Sequence, residues 1–341
     1  MSINERVAAR APIKRSIPVI PAFLLLLGAL VLASVAIGAA PIPLEAILDS
    51  LFGRGDAVTR SVVFEIRLPR ALLAVAVGAV YGMAGAALQG YLRNPLAEPY
   101  VLGASSAAAL GGVIALYFGI AALFPLALPL SAILAAVIAI GVVLMLAHWS
   151  DSGLTLVLAG IGVGTLSTAA ISLALNLSPN PFAAMEITTW LLGSLEDRSM
   201  KHVMLAVPFI GAGMILLLWD RRALDALSLG EETAETLGFS LDWVRLRLAL
   251  GVALGVGAAV AVSGAIGFVG LVVPHILRPL IGPQPSRLLL PSALGGGILL
   301  AASDILVRLI PTANELKLGV VTAFLGVPFF FALLFKSRRG W

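Results

Sequence analysis

Asp304 and Arg308 stand four residues apart with the acid first, the spacing at which a carboxylate and a guanidinium pair along one helix face. They fall near the end of an apolar run. An ionisable residue there is a functional candidate by default, and a local neutralising ion pair is the plain alternative. Arg67 and Arg70 flank Leu68-Pro69, a proline placed for the first turn of a helix, which would hold both guanidiniums at a membrane surface. Arg67, Arg70 and Arg308 together would form a basic rim suited to the carboxylates of an acidic soluble partner. Snorkelling at the lipid interface explains the same positions equally well. Other chemistry is poorly provided for. There is no cysteine, which removes disulfides, thiolate metal sites and cysteine nucleophiles. His148, His202 and His275 are scattered and no HExxH occurs, so no metal site is expected. Lys14, Lys201, Lys317 and Lys336 all lie outside any Gly-rich GK[ST] context, so the chain is expected not to hydrolyse ATP itself. Asp304 is the single deep acid, which leaves intramembrane proteolysis without a catalytic set.

The longest polar island is Arg221 to Phe239, RRALDALSLGEETAETLGF. Ser228 followed by Glu231 has the spacing of a capping box. Leu229, Thr233 and Leu237 recur at about one helical turn, and Gly238 sits where a left-handed C-terminal residue is expected. The stretch reads as two short helices, a docking surface for a soluble partner. A helix lying on lipid is disfavoured, because Glu231, Glu232 and Glu235 would be repelled by anionic headgroups. A second polar stretch, Arg93-Asn94-Pro95-Leu96-Ala97-Glu98-Pro99, is stiffened by two prolines and is either a gate at a pathway mouth or a plain turn. Gln89 falls on one helical face with Gly78, Gly82 and Gly85, where its amide either bridges helices or lines a wet pathway.

The elements that must position these residues are membrane spans. Sixty per cent of the 341 residues are hydrophobic and 12% charged, with a mean hydropathy of +1.05. That composition belongs to a polytopic membrane protein. A bilayer core about 30 Å thick takes roughly 20 apolar residues per helix. This ruler predicts spans at 18–39, 68–90, 101–119, 125–147, 154–176, 203–219, 243–263, 267–281, 288–307 and 319–335, the third and eighth being short or Pro-interrupted. Small-residue stripes at Gly103, Ala107 and Gly111, and at Gly251 and Gly255, predict close helix packing. Most of the 22 basic residues fall inside when the N-terminus is cytoplasmic, which also puts the acidic island, the Arg93–Pro99 loop and both termini inside. The net charge of +4 is small and its basic residues sit at span ends, so no nucleic-acid partner is expected. The first apolar run exceeds a secretory h-region and reads as an uncleaved span.

RLPR at Arg67–Arg70, LQGYLRNPLAEPYVLGASS at Leu88–Ser106, LAGIGVG at Leu158–Gly164 and WLLGSL at Trp190–Leu195 carry a family resemblance. It continues through LSLGEETAETLGF at Leu227–Phe239, SGAIGFVGLVVPHILRPLIGP at Ser263–Pro283, AASDILVRLI at Ala301–Ile310 and GVVTAFLGVPFF at Gly319–Phe330. The chain resembles the FecCD/BtuC-type permeases, the membrane subunits of type II ABC importers for iron–siderophore complexes, haem and vitamin B12. The resemblance implies an all-α fold of about ten transmembrane helices. Residues 1–17 would form a cytoplasmic segment and 18–341 a single permease domain, with coupling helices within 221–239. It implies a second permease subunit, two cytoplasmic ATPase subunits that use the ATP, a periplasmic binding protein and a bacterial inner membrane, with no cofactor bound by this chain. Ser228, Leu229, Gly230, Glu231, Glu232, Glu235 and Leu237 then couple to the ATPase. Arg67, Arg70 and Arg308 receive the binding protein, and Gln89, Asn94 and Leu96 are pathway or gate candidates. The chain departs from the family pattern at Ala107, usually Gly, and at Lys317-Leu318, where Pro is usual. It also departs at Asp151-Ser152-Gly153-Leu154-Thr155, where small hydroxyl residues often form the inner gate. The rival reading, an ion-coupled secondary transporter, needs intramembrane carboxylates or histidines as coupling sites, and only Asp304 and His275 qualify.

Overall fold

A computed structural model describes residues 19–337 apart from 39–40, 55, 125, 148–152, 179 and 313–314. The N-terminal segment before residue 19, His148 and the Asp151-Ser152 pair therefore lie outside the described residues. Helix α1 spans Val19–Ala36, and the short α2 (Leu44–Leu51) and α3 (Ala57–Ser61) follow it. A π-helical turn, Val62–Arg67, runs without a break into α4, Leu68–Tyr91, with Pro69 in its first turn as expected. A loop and the 3-10 turn Pro99–Leu102 lead to α5 (Ala104–Tyr117), α6 (Ile120–Leu123), α7 (Ala127–Ala147), α8 (Gly153–Asn176) and α9 (Pro181–Leu191). Helix α10 (Met200–Trp219) ends in the pair α11 (Arg221–Leu227) and α12 (Glu231–Thr236). The chain closes with α13 (Leu241–Ser263), α14 (Val269–Ile281), α15 (Pro285–Leu309) and α16 (Leu318–Ser337).

Among the described residues, seven helical stretches are long and apolar enough to cross a membrane, and α5, α14 and residues 318–331 are shorter apolar helices. These ten coincide with the ten apolar runs read from the sequence. Helices α4 and α13 are the centre: 78% of each apolar window is buried, against 11% for α1 and 22% for α8. Outer helices keep an apolar face because their surroundings are lipid or another apolar surface, where bulk hydrophobicity drives no helix association and close packing must do so.

The small-residue stripes supply that packing. A Cβ on Gly78 or Gly82 of α4 would collide with the backbone carbonyls of Gly296 and Ser292 in α15, and one on Gly85 with the carbonyl of Gly270 in α14. Gly111 faces Ser131 of α7 in the same way, and Gly251 and Gly255 face Gly213 of α10. Helix α14 has 13 residues, about 20 Å at 1.5 Å per residue, and so cannot cross a core of about 30 Å. Its N-cap, Phe268, takes a left-handed φ of 67°. The non-helical stretch before it is partly enclosed, with Gly264 and Ile266 buried and Ala265 and Gly267 exposed, and the amide of Ser194 donates to the carbonyl of Ser263 at its start at 2.7 Å. Irregular backbone between spans is tolerable where it is buried in protein or lines a cavity.

Candidate functional site

The polar side chains gather at the two ends of the α4–α15 pair. At one end lie α11 and α12. Ala223, Leu224, Ala226 and Leu227 bury one face of α11, whereas α12 buries only Ala234. Leu229 and Leu237 are 71% and 60% exposed, and Glu232 and Glu235 stand exposed beside them, so an apolar pair ringed by acid points outward. The expected capping box between Ser228 and Glu231 does not form. Ser228 ends α11 in a right-handed conformation and its hydroxyl donates to the carbonyl of Asp225 at 2.6 Å. The N-cap of α12 is instead Gly230, at φ 119°, a conformation open only to glycine, so the turn geometry displaces the serine from the cap. The C-terminal stop is as read: Gly238 has φ 89°, and the amide of Phe239 closes on the carbonyl of Ala234 at 3.1 Å.

Two side chains the sequence reading passed over, Asp225 and Asp220, tie this surface to the spans, and a third, Arg278, joins two spans beside it. Asp225 accepts the Ser286 amide at 2.9 Å and the Gln284 side-chain amide at 2.8 Å. Asp220 takes Arg247 in a bidentate pair at 2.6 and 2.8 Å. Arg278 donates to the Gln89 carbonyl oxygen at 2.6 Å, while the Gln89 amide donates to the carbonyl of Gly270 at 3.2 Å. Gln89 is thus buried and bridges α4 to α14. It also borders a cavity at this end of the molecule.

The Arg93–Pro99 loop closes over the same end. The Asn94 side-chain oxygen accepts the Leu96 amide at 2.9 Å, and Asn94 and Leu96 are both exposed. Arg93 approaches Glu231 at 3.6 Å, linking this loop to α12. Gln89, Arg93, Pro95, Ser228, Arg278 and Pro285 border a cavity of about 270 Å³ between loop, α11 and α15. Glu98 lies largely out of water: burial pushes its carboxyl above the ordinary value, and the amide of Phe268 pulls it back.

At the opposite end the structure brings Arg67, Arg70 and Arg308 together, but as an internal cluster and not an exposed rim. Arg67 is 4% and Arg70 9% exposed. Arg70 donates from Nε to Asp304 at 2.9 Å and forks onto both oxygens of Glu315. Arg308 pairs with the other Asp304 oxygen at 3.0 Å, the expected i, i+4 contact. Its remaining donors reach the carbonyls of Ser34 and Ile37 at 2.8 and 2.7 Å, and Arg67 reaches those of Val35 and Ala36 at 2.9 and 2.8 Å. The physical reason is the end of α1. That helix has no basic residue in its own last turn, so its unsatisfied carbonyls and negative dipole draw guanidiniums from α15 and the π-helical turn. A cavity of about 490 Å³ opens beside the cluster, bordered by Arg67, Arg70, Arg308 and Glu315. Lys317, the departure from the usual proline, pairs with Glu196 at 2.9 Å and fastens the start of α16.

Helix α8 lies apart from both clusters and exposes Gly162, Thr165, Ala169 and Ser172 along one line. Thr165 and Ser172 hydrogen-bond back to the carbonyls of Ile161 and Thr168, so the line is small and nearly apolar.

Comparison with known proteins decides what this arrangement belongs to. The FecCD transport family matches residues 25–336. The chain belongs to that family. Among FecCD-type relatives, it is 41% identical over 294 residues to the vitamin B12 import system permease protein BtuC of Vibrio cholerae, covering 85% of this chain and 87% of that one. The hemin transport system permease protein HmuU of Yersinia pestis is 37% identical, with 93% and 95% covered. An uncharacterized ABC transporter permease of Bacillus subtilis, YvrB, is 38% identical, with 91% of each covered. A metal-chelate type ABC transporter solved in an inward-facing conformation superposes with a TM-score of 0.81 at 32% identity, covering 93% of this chain and 99% of the other. This FecCD-family chain is therefore a multi-pass ABC transporter permease with the all-helical fold of that class.

Proposed function

We propose that this permease is the membrane subunit of an ATP-driven importer. It would pass a metal–organic nutrient, an iron–siderophore complex, haem or cobalamin, from a periplasmic binding protein into the cytoplasm. The observation that carries this reading is the α11–α12 surface, tethered through Asp220 and Asp225 yet exposing Leu229, Glu232, Glu235 and Leu237. Such a surface suits a soluble ATPase that pulls on the spans. Ser228 and Gly230 shape its turn, and Glu231 ties it to the Arg93 loop. Two copies of the chain would pair around the pathway, each above one ATPase subunit that binds the ATP, so that this chain holds no cofactor. The setting is a bacterial inner membrane with both termini cytoplasmic. At the far end, the 490 Å³ opening that Arg67, Arg70, Arg308 and Glu315 border would face the binding protein. Asn94 and Leu96 would border the cytoplasmic mouth. The FecCD relatives named for vitamin B12 and hemin support the substrate class.

Asp304 favours this reading over ion coupling. A coupling carboxylate must gain and lose a cation, whereas Asp304 is fully buried between two guanidiniums. Reconstitution of the chain in vesicles with its ATPase and binding protein tests the matter. Nutrient accumulation should require ATP and the binding protein, whereas uptake that continues without ATP on an ion gradient would overturn the importer.

A further inference from the structure

Helix α15 begins with an unusual cap. Its N-cap, Gln284, makes no side-chain cap of its own, and Pro285 at the first helical position has no amide hydrogen. The first free amide of the helix is that of Ser286, and it is satisfied from another element by Asp225 of α11. The second Asp225 oxygen takes the Gln284 side chain. A carboxylate with both oxygens engaged at a helix N-terminus gains from hydrogen bonding and from the helix dipole together. Asp225 is only partly buried, yet both of its partners come from α15 and its N-cap.

From that fastening, α15 continues as one helix past Pro291 and Gly295 to Gly297 as far as Leu309. Its small face is in backbone contact with α4 at Gly78 and Gly82, so neither helix can slide along the other without lifting off. At the far end Asp304 and Arg308 lock α15 to Arg70 of α4 and to the end of α1. The same helix thus grips the α11–α12 surface at its start and the arginine cluster at its finish.

We propose that Asp225 is the positioning residue through which movement of α11–α12 enters the spans, and that α15 with α4 delivers that movement to the arginine cluster. The proposal rests on the importer reading. Binding-protein docking at one end and ATPase movement at the other then bias one two-state element.

The test uses the whole reconstituted importer with Asp225→Ala, Asp225→Glu and Ser286→Pro. The proline deletes the donor amide within the first helical turn, where the amide has no partner inside the helix, and leaves the Asp225 side chain unchanged. The readout is the ratio of ATPase activity with loaded binding protein to that without it, alongside co-purification of the ATPase and the binding-protein concentration for half-stimulation. Asp225→Ala and Ser286→Pro should each lower the stimulation ratio about tenfold, a typical coupling free energy, with ATPase co-purification retained. Asp225→Glu should recover part of the ratio. An unchanged ratio in both variants overturns the proposal and leaves the importer standing. So does loss of ATPase co-purification in step with the ratio, which would make Asp225 a prop of the docking surface alone. A wild-type complex without ATP-dependent uptake fails the importer reading itself.

Discussion

Asp304 shows what the dense charge near the start of α4 demands. A buried carboxylate costs several kcal/mol in desolvation unless its lone pairs are used, and here two guanidiniums use them. Asp304→Ala should therefore leave Arg70 and Arg308 under-compensated and destabilise the fold by about 3 kcal/mol. Unfolding in mixed micelles measures this. Glu315→Gln should cost clearly less, because that carboxyl is partly exposed and Asp304 stays on Arg70. Equal losses would mean that Glu315 carries the cluster. Asp304 with Arg308 was readable in the sequence because a spacing of four on a helix is a local signal. Arg70 with Asp304 was not: the partners are 234 positions apart, and no periodicity links them. Asp225 went unremarked for the same reason, its partners lying about 60 residues away.

At the scale of elements, the α4–α15 contact sets how exactly the two ends can be linked. Gly82→Leu would drive a side chain into the Ser292 carbonyl, where only backbone can yield. Overpacking of this kind costs roughly 1–3 kcal/mol and more where backbone must shift. Gly82→Leu should thus lower the yield of monodisperse protein on size exclusion, while Gly141→Leu in α7, a position with open space around it, should not. Comparable yields would show that the two helices separate freely. The apolar runs and small-residue stripes made this layer of the fold legible, because length and face periodicity are written locally. The α11–α12 turn was legible only in part. The serine–glutamate spacing permits a capping box, but the φ of Gly230 is set by how the turn seats Leu227 and Ala234 against the spans, and spacing does not record that.

For the whole molecule, α8 is a helix with much left to bury, only 22% of its apolar window being covered. A helix facing only lipid has no need of an exposed line of Gly162, Thr165, Ala169 and Ser172, whereas a second helix can pack closely against one. The absence of native cysteine makes the test direct. Ala169→Cys, oxidised in native membranes, should yield a product of twice the chain's mass if two copies meet along α8. A thiol that labels freely yet never cross-links would place the second subunit elsewhere.

The tie between Arg308 and the end of α1 spans 274 positions, and it bears on how the protein is made. The first span enters the bilayer during synthesis with its final carbonyls uncapped, and the guanidiniums that finish it arrive with Arg67 and then, near the end of translation, with Arg308. Until then α1 is held at that end by the earlier arginine alone. One of the late long-range contacts to form is therefore one that secures the first helix, so a chain halted before Arg308 keeps a loose leading span for quality control to find.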